Sequence, residues 1–155
     1  MQNPGPIIYT IGHGRHPLGH FLELLRQHQI AFVCDVRSVA RSRWPQYNGP
    51  LLKEALQQAG IGYEHLPECG GRVIAPPPEL ARGLERVLEL AAELCVALLC
   101  SESQPLTRHA RTPRANCHRV GLLAPRLRSQ GAHLVHILPD GKTLEFDESA
   151  VPSIW

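Results

Sequence analysis

The feature that most constrains this chain is a regular exchange between two hydrophobic patterns. "PIIYTIGH" is a continuous apolar run that stops at Gly12, as a buried strand does. After Pro17, the residues Leu18, Phe21, Leu22 and Leu25 recur at helical spacing. "IAFVCDVR" is a second buried run, broken at Asp35, and Pro50 opens a second helix with Leu52, Ala55, Leu56 and Ala59 on one face, ending at Gly60. "IGYEHL" is a weaker third strand, followed by the helix "PPPELARGLERVLELAAEL" with Leu80, Leu84, Val87, Leu88 and Ala91 in register. "CVALLCSE" is a fourth strand. "CHRVGLLAPRLRSQG" is a fourth helix with Val120, Leu123, Ala124 and Leu127 inward, although Pro125 within it removes a hydrogen bond. "AHLVHIL" is a fifth strand, and "PDGK" turns the chain into the short strand "TLEF".

Strands that alternate with helices and are apolar throughout must be covered on both faces. The expected fold is therefore α/β: a mostly parallel sheet of about five strands with helices on both faces and a short C-terminal hairpin strand. A length of 155 residues gives one domain, 1–155, with "APPP" at 75–78 as a rigid connector inside it. Apolar residues at 43% and charged residues at 19% fit an ordinary globule. Five cysteines without paired short spacing, no charged leader before an apolar segment and no run long enough to span a bilayer predict a cytoplasmic protein with reduced thiols, away from membranes.

The net charge of +2 does not by itself imply nucleic-acid binding, but the charge is unevenly placed. Ser101 to Arg128 holds six arginines and one acid, Glu102, while Ser38 to Lys53 holds Arg41, Arg43 and Lys53 and no acid. In a parallel sheet the loops leaving the carboxyl ends of the strands share one edge, where ligands bind. Here those ends carry His13 and Arg15, then Asp35 and Arg37, then Glu68, Gly70, Gly71 and Arg72, then Cys100 and Glu102, with Cys117, His118 and Arg119 on the returning segment.

Together "YTIGHGRHPLGHFLELL", "DVRSVARSRWPQYN", "GIGYEHLPECGGR", "LLCSESQP", "NCHRVGLLAPRL" and "GAHLVHILPDG" resemble the prokaryotic family named domain of unknown function 488, in family order over nearly the whole chain. The resemblance implies site positions at His13, Asp35-Val36-Arg37, Gly70-Gly71-Arg72, Cys100 with Glu102, and Cys117-His118-Arg119, but names no reaction. The chain departs from the family pattern at Cys69, where leucine is usual, and in the long join from Ser103 to Asn116.

Each candidate has a functional and a plainer reading. Cys117-His118-Arg119 opens a helix, so an anion is favoured there, Arg119 could clamp two oxygens, and Cys117 would be acidified into a nucleophile. The alternative is a helix cap with a buried cysteine. Glu102 could act as a general base or pair with Arg37 or Arg119; Cys100 reads more simply as a core residue. Asp35 and Arg37 are either a carboxylate presented to substrate or a structural ion pair. Zinc could use Cys100, Cys117 and His118 with His13 or Cys69, but no spaced ligand motif appears and adjacent ligands at 117 and 118 are awkward, so no metal is expected. Nor is any cofactor. "ARSRWPQYN" sets Arg41 and Arg43 beside Trp44 and Tyr47, which suits stacking of a nucleotide or a loop that covers the sheet edge.

The assignment is therefore Cys117, Glu102 and Asp35 as the chemically active candidates, and His13, Arg37, Arg72, His118 and Arg119 as the ligand-binding ones. The 103–116 segment reads as a structureless, arginine-rich lid over the site. The expected partner is an anionic small molecule or a nucleic acid. Three functions remain open: an enzyme acting on a nucleotide or nucleic-acid substrate, a nucleic-acid binding module without chemistry, or a small-ligand or protein interaction domain.

Overall fold

A computed structural model describes residues 5–107 and 112–155. The strands are β1 (Ile7–Gly12), β2 (Phe32–Asp35), β3 (Gly62–His65), β4 (Val96–Cys100), β5 (His133–Ile137) and β6 (Thr143–Leu144). The helices are α1 (Leu18–Gln27), α2 (Gly49–Gln58), α3 (Pro77–Ala91) and α4 (Ala124–Ser129). The strands form one sheet in the order β3-β2-β4-β1-β5-β6. All neighbours are parallel except the β5–β6 hairpin, whose turn places Gly141 at φ +90.

Strand parity divides the core in two. Ile8, Cys34, Val96, Leu98 and Leu134 face α3 and α4, where they meet Leu80, Leu84, Val87 and Leu127. Ile11, Val33, Ala97, Leu99 and Ile137 face α1 and α2, where they meet Phe21, Leu24, Leu25, Leu52 and Leu56. This follows from the right-handedness of parallel crossovers. The connections β1-α1-β2 and β2-α2-β3 run one way along the sheet; β3-α3-β4 and β4-α4-β5 run the other way and must lie on the opposite face.

The loops after β1 and β2 therefore turn to one face, and the loop after β4, which lies between them, turns to the other. Both flanks of β4 are switch points at which the diverging loops leave a crevice. Gly12 lets the walls close up: a Cβ there would lie 1.7 Å from the carbonyl oxygen of Glu102.

Two local features depart from the sequence reading. The fourth helix begins not as an α-helix but as a π turn, Arg119–Leu123, with Ala124 N–H donating to the Arg119 carbonyl. Pro125 supplies the reason: it has no N–H for the Gly121 carbonyl, and its ring crowds that carbonyl, so the turn widens. The 103–116 segment is not structureless. Leu106 and Ala115 form an antiparallel bridge, and Thr107 N–H, Asn116 N–H and Asn116 Nδ2 bond to Arg114, Pro105 and Gln104 carbonyls, so its stem is a small ribbon. The tip with Arg108 and Arg111 lies outside the described residues. No helix among the described residues is long and apolar enough to cross a membrane.

Candidate functional site

The same parity sorts the polar residues at the carboxyl edge into two centres. Asp35 ends β2 on the α1/α2 side, and Arg37, two residues on, returns to that side. Arg37 grips Asp35 with two guanidinium bonds, Nε to Oδ1 at 2.8 Å and Nη2 to Oδ2 at 2.7 Å, and donates a third from its backbone at 3.2 Å. Tyr63 Oη donates to Asp35 Oδ2 at 2.5 Å. Burial works against the Arg37 charge, but the bonds and charge of Asp35 outweigh it and hold its pKa above the ordinary value. Asp35 is wholly enclosed and its oxygens are occupied, so it positions Arg37 instead of facing a ligand.

His13 completes this centre. It stacks on Tyr47 at 4.4 Å between ring centroids, and its Nδ1–H donates to the Gly14 carbonyl at 2.9 Å. Nε2 is then the acceptor that faces Arg37 Nη1 at 3.5 Å. Burial above all, helped by the Arg37 charge, lowers the His13 pKa to about 4, so the ring is neutral near pH 7. Tyr47, a stacking candidate in the sequence, is a core residue with its hydroxyl bonded to the His16 carbonyl. Trp44 is half-buried and has the Arg15 guanidinium 5.7 Å above its ring.

The second centre lies on the α3/α4 side. Cys100 ends β4 facing the start of the π turn, and its Sγ is 3.4 Å from Cys117 Sγ. His118 Nε2–H donates to the Val36 carbonyl at 2.6 Å and pins this segment to β2. Arg119 is fully buried. Its Nη2 makes a long bond to the Ser103 carbonyl, 3.5 Å, while Nε and Nη1 have no hydrogen-bond partner among the described residues. The sequence offered Arg119 as a clamp on two oxygens of an anion; the widened turn buries it instead, beside the Ser103 carbonyl. Burial pushes the Cys100 thiol well up, and its bond to Cys117 adds to that. Burial acts the same way on Cys117, yet the Cys100 bond and the Arg119 charge prevail and bring its pKa below the ordinary value.

Glu102 joins the two centres. It is exposed and lines both crevices. The wider crevice, about 680 Å³, lies between the β1, β2 and β4 loops and is lined by His13, Arg15, Arg43 and Trp44. The narrower, about 190 Å³, is lined by Arg37, Arg41, Arg72, Cys117, His118 and Trp155. A carboxylate oxygen of Glu102 and the sulfurs of Cys100 and Cys117 lie within 4.8 Å of one another, close enough to share an ion. The buried Arg119 charge beside both sulfurs opposes a cation there. His118 contributes nothing to that trio, and Cys69 is a core thiol pushed up to about 12 by burial.

The structure thus brings His13, Arg37, Arg72, Glu102, Cys117 and His118 to crevice walls, and sets Asp35 and Arg119 behind them. Among the described residues, the arginines in the crevices are Arg15, Arg37, Arg41, Arg43 and Arg72. Of the 101–128 run, Arg128 pairs with Glu148 and Arg126 bonds the Leu122 carbonyl. Sequence reasoning missed Tyr63, whose hydroxyl reaches Asp35 only through the β2–β3 pairing, and Trp155, whose Nε1 donates to the Gly71 carbonyl at 3.1 Å. Local pattern carries no signal for either.

The family model described as domain of unknown function DUF488 matches residues 17–77, from α1 to the start of α3, and supports the family resemblance read from the motifs. No curated protein and no solved structure matches the chain.

Proposed function

We propose that the carboxyl edge of the sheet is an enzyme site for a phosphate-bearing substrate of nucleotide or nucleic-acid type. The carrying observation is that five arginines line two adjoining crevices whose shared wall holds one acid, Glu102, with the Cys117 sulfur close by. In this reading Arg15, Arg43 and Trp44 receive phosphate and base in the open crevice, by charge and stacking. Arg37, fixed by Asp35, and Arg72 hold an oxyanion in the narrow one. Cys117 is the nucleophile, and Glu102 handles the proton. Neutral His13 accepts from Arg37 and orients it.

Titration of the intrinsic tryptophan fluorescence in a Trp155→Phe background, with a nucleoside monophosphate and a short single-stranded oligonucleotide, tests the reading. Quenching of Trp44 is expected with at least one of them, and Arg43→Ala should weaken it about ten- to a hundredfold, the effect of one charge-assisted contact. Cys117→Ser should retain binding and lose turnover. Absence of binding to either probe at low salt overturns the site. Steep salt dependence with the oligonucleotide and no turnover would make it a nucleic-acid binding module instead.

A further inference from the structure

The two cysteines of the second centre come from distant parts of the chain, one from the last position of β4 and one from the loop before the π turn. No element of the core requires them to meet. Each could have packed simply as a small hydrophobe, as Cys34 and Cys69 do in the core on that face. Instead their sulfurs are 3.4 Å apart, with Cys117 on a crevice wall and Cys100 enclosed behind it.

We propose that Cys100 and Cys117 are a redox-active dithiol in which Cys117 reduces a hydroperoxide and Cys100 resolves the product to an internal disulfide. This role is independent of which anion occupies the crevices.

Three observations carry the assignment of roles. Cys117, only 2% exposed, borders the narrow crevice, and Cys100, fully enclosed, lines neither, so a small oxidant meets Cys117 first. Arg119 is fully enclosed, and its Nε and Nη1 find no hydrogen-bond acceptor among the described residues. A buried guanidinium left so is costly unless an anion lies beside it. The groups whose charge supports Arg119 are Cys100, Cys117 and Glu102; Glu102, with a carboxylate oxygen within 4.8 Å of both sulfurs, is exposed to solvent, whereas the two sulfurs are enclosed. A thiolate on Cys117 is the enclosed anion that matches the enclosed cation. Cys100, whose sulfur is 3.4 Å from that sulfur and whose S–H also reaches the Glu102 carbonyl at 3.5 Å, is already in place as the second reactant.

The chemistry balances without a metal. The Cys117 thiolate attacks the nearer oxygen of a hydroperoxide, ROOH, and the O–O bond breaks. Cys117 becomes a sulfenic acid, and the leaving alkoxide takes a proton from solvent to give ROH. Cys100 loses its proton, its sulfur attacks the Cys117 sulfur, and water leaves as the disulfide forms. The two electrons that reduce the peroxide come from the two thiols. A low-molecular-weight thiol restores the pair by two exchange steps.

The test uses the full chain, reduced and freed of reductant, then treated with one equivalent of hydrogen peroxide. The two cysteines fall in different tryptic peptides, 87–108 and 115–119, so a disulfide between them is read directly by mass spectrometry as a cross-linked pair. The expected result is loss of two thiols of the five, a 100–117 link and return of both thiols on addition of glutathione. Cys100→Ser should stop at a sulfenic acid on Cys117 that a dimedone probe traps, and Cys95→Ser, the other cysteine of the longer peptide, should react as the parent does. Equal oxidation of all five thiols overturns the proposal. So does a sulfenic acid that persists in the parent chain without a link. Two unreactive thiols accompanied by one retained equivalent of zinc would replace it with a metal site. Because the parent chain alone decides between these outcomes, a variant that fails to fold does not blunt the test.

Discussion

At the scale of single residues, the two centres differ in how they use charge. Asp35 and Arg37 satisfy each other, and removing one partner strands the other in a closed space. Arg37→Ala is expected to cost about 3–5 kcal/mol, the usual penalty for breaking a buried pair, measured by denaturant unfolding. His13 shows the opposite economy, since it is buried neutral. Folding excludes a proton that the unfolded chain accepts below about pH 6.5, so stability should fall as pH drops from there to about 4, by up to about 1.4 kcal/mol per pH unit. His13→Gln should flatten that slope, and melting temperatures measured at intervals from pH 7 to pH 4 would show it. The thiols are ranked by the same logic. Burial pushes Cys34 and Cys69 up to about 12, whereas Cys117 lies below its ordinary value. Brief alkylation near neutral pH should modify Cys117 before Cys34 and Cys69; equal rates would remove Cys117 as a nucleophile.

At the scale of elements, the site depends on how closely the β1 and β4 loops approach. Gly12 and Gly14 form this junction, the second at φ +48 with Ser103 Cβ 2.8 Å from where its own Cβ would be. Gly12→Ala would drive a methyl into the Glu102 backbone and must displace a loop that both crevices share. A loss of about 1–3 kcal/mol is expected, as for overpacking, with weaker binding of any phosphate probe. A variant of unchanged stability and affinity would show that the junction does not shape the site. The π turn belongs to this scale too: one proline shifts Arg119 from the crevice wall to its buried place against the thiols.

At the scale of the molecule, the C-terminal segment ties the last helix to the sheet and to the site. His136, bonded to Thr10 through Nδ1 at 2.7 Å, bonds through Nε2 to Glu148 Oε1 at 2.8 Å, and Glu148 Oε2 takes the Arg128 Nε at 2.7 Å. Farther along, Ala115 N–H donates to the Pro152 carbonyl, and Trp155 reaches Gly71 across the narrow crevice. Glu148→Ala should therefore lower the melting temperature and also alter the Cys117 alkylation rate, because the segment that holds the π turn would loosen. An unchanged thiol rate in a destabilised protein would confine Glu148 to stability.

Periodicity alone determined the element order, the parallel sheet and the edge at which polar residues gather, because burial on both faces leaves a parallel strand no other composition. The resemblance of its motifs named the residues at that edge. What tertiary structure decided is which of them touch. Cys100 and Cys117 meet where the segment before the π turn returns to the end of β4, a long-range contact that no local pattern encodes. Arg119 turned inward because Pro125, six residues later, widened the turn. Asp35 is closed off because Tyr63, on a neighbouring strand, donates to the oxygen that it shares with Arg37. The described stem of the 103–116 segment formed a small paired ribbon, since its backbone groups found partners in one another, and the described cations that line the crevices come from the β1, β2 and β3 loops.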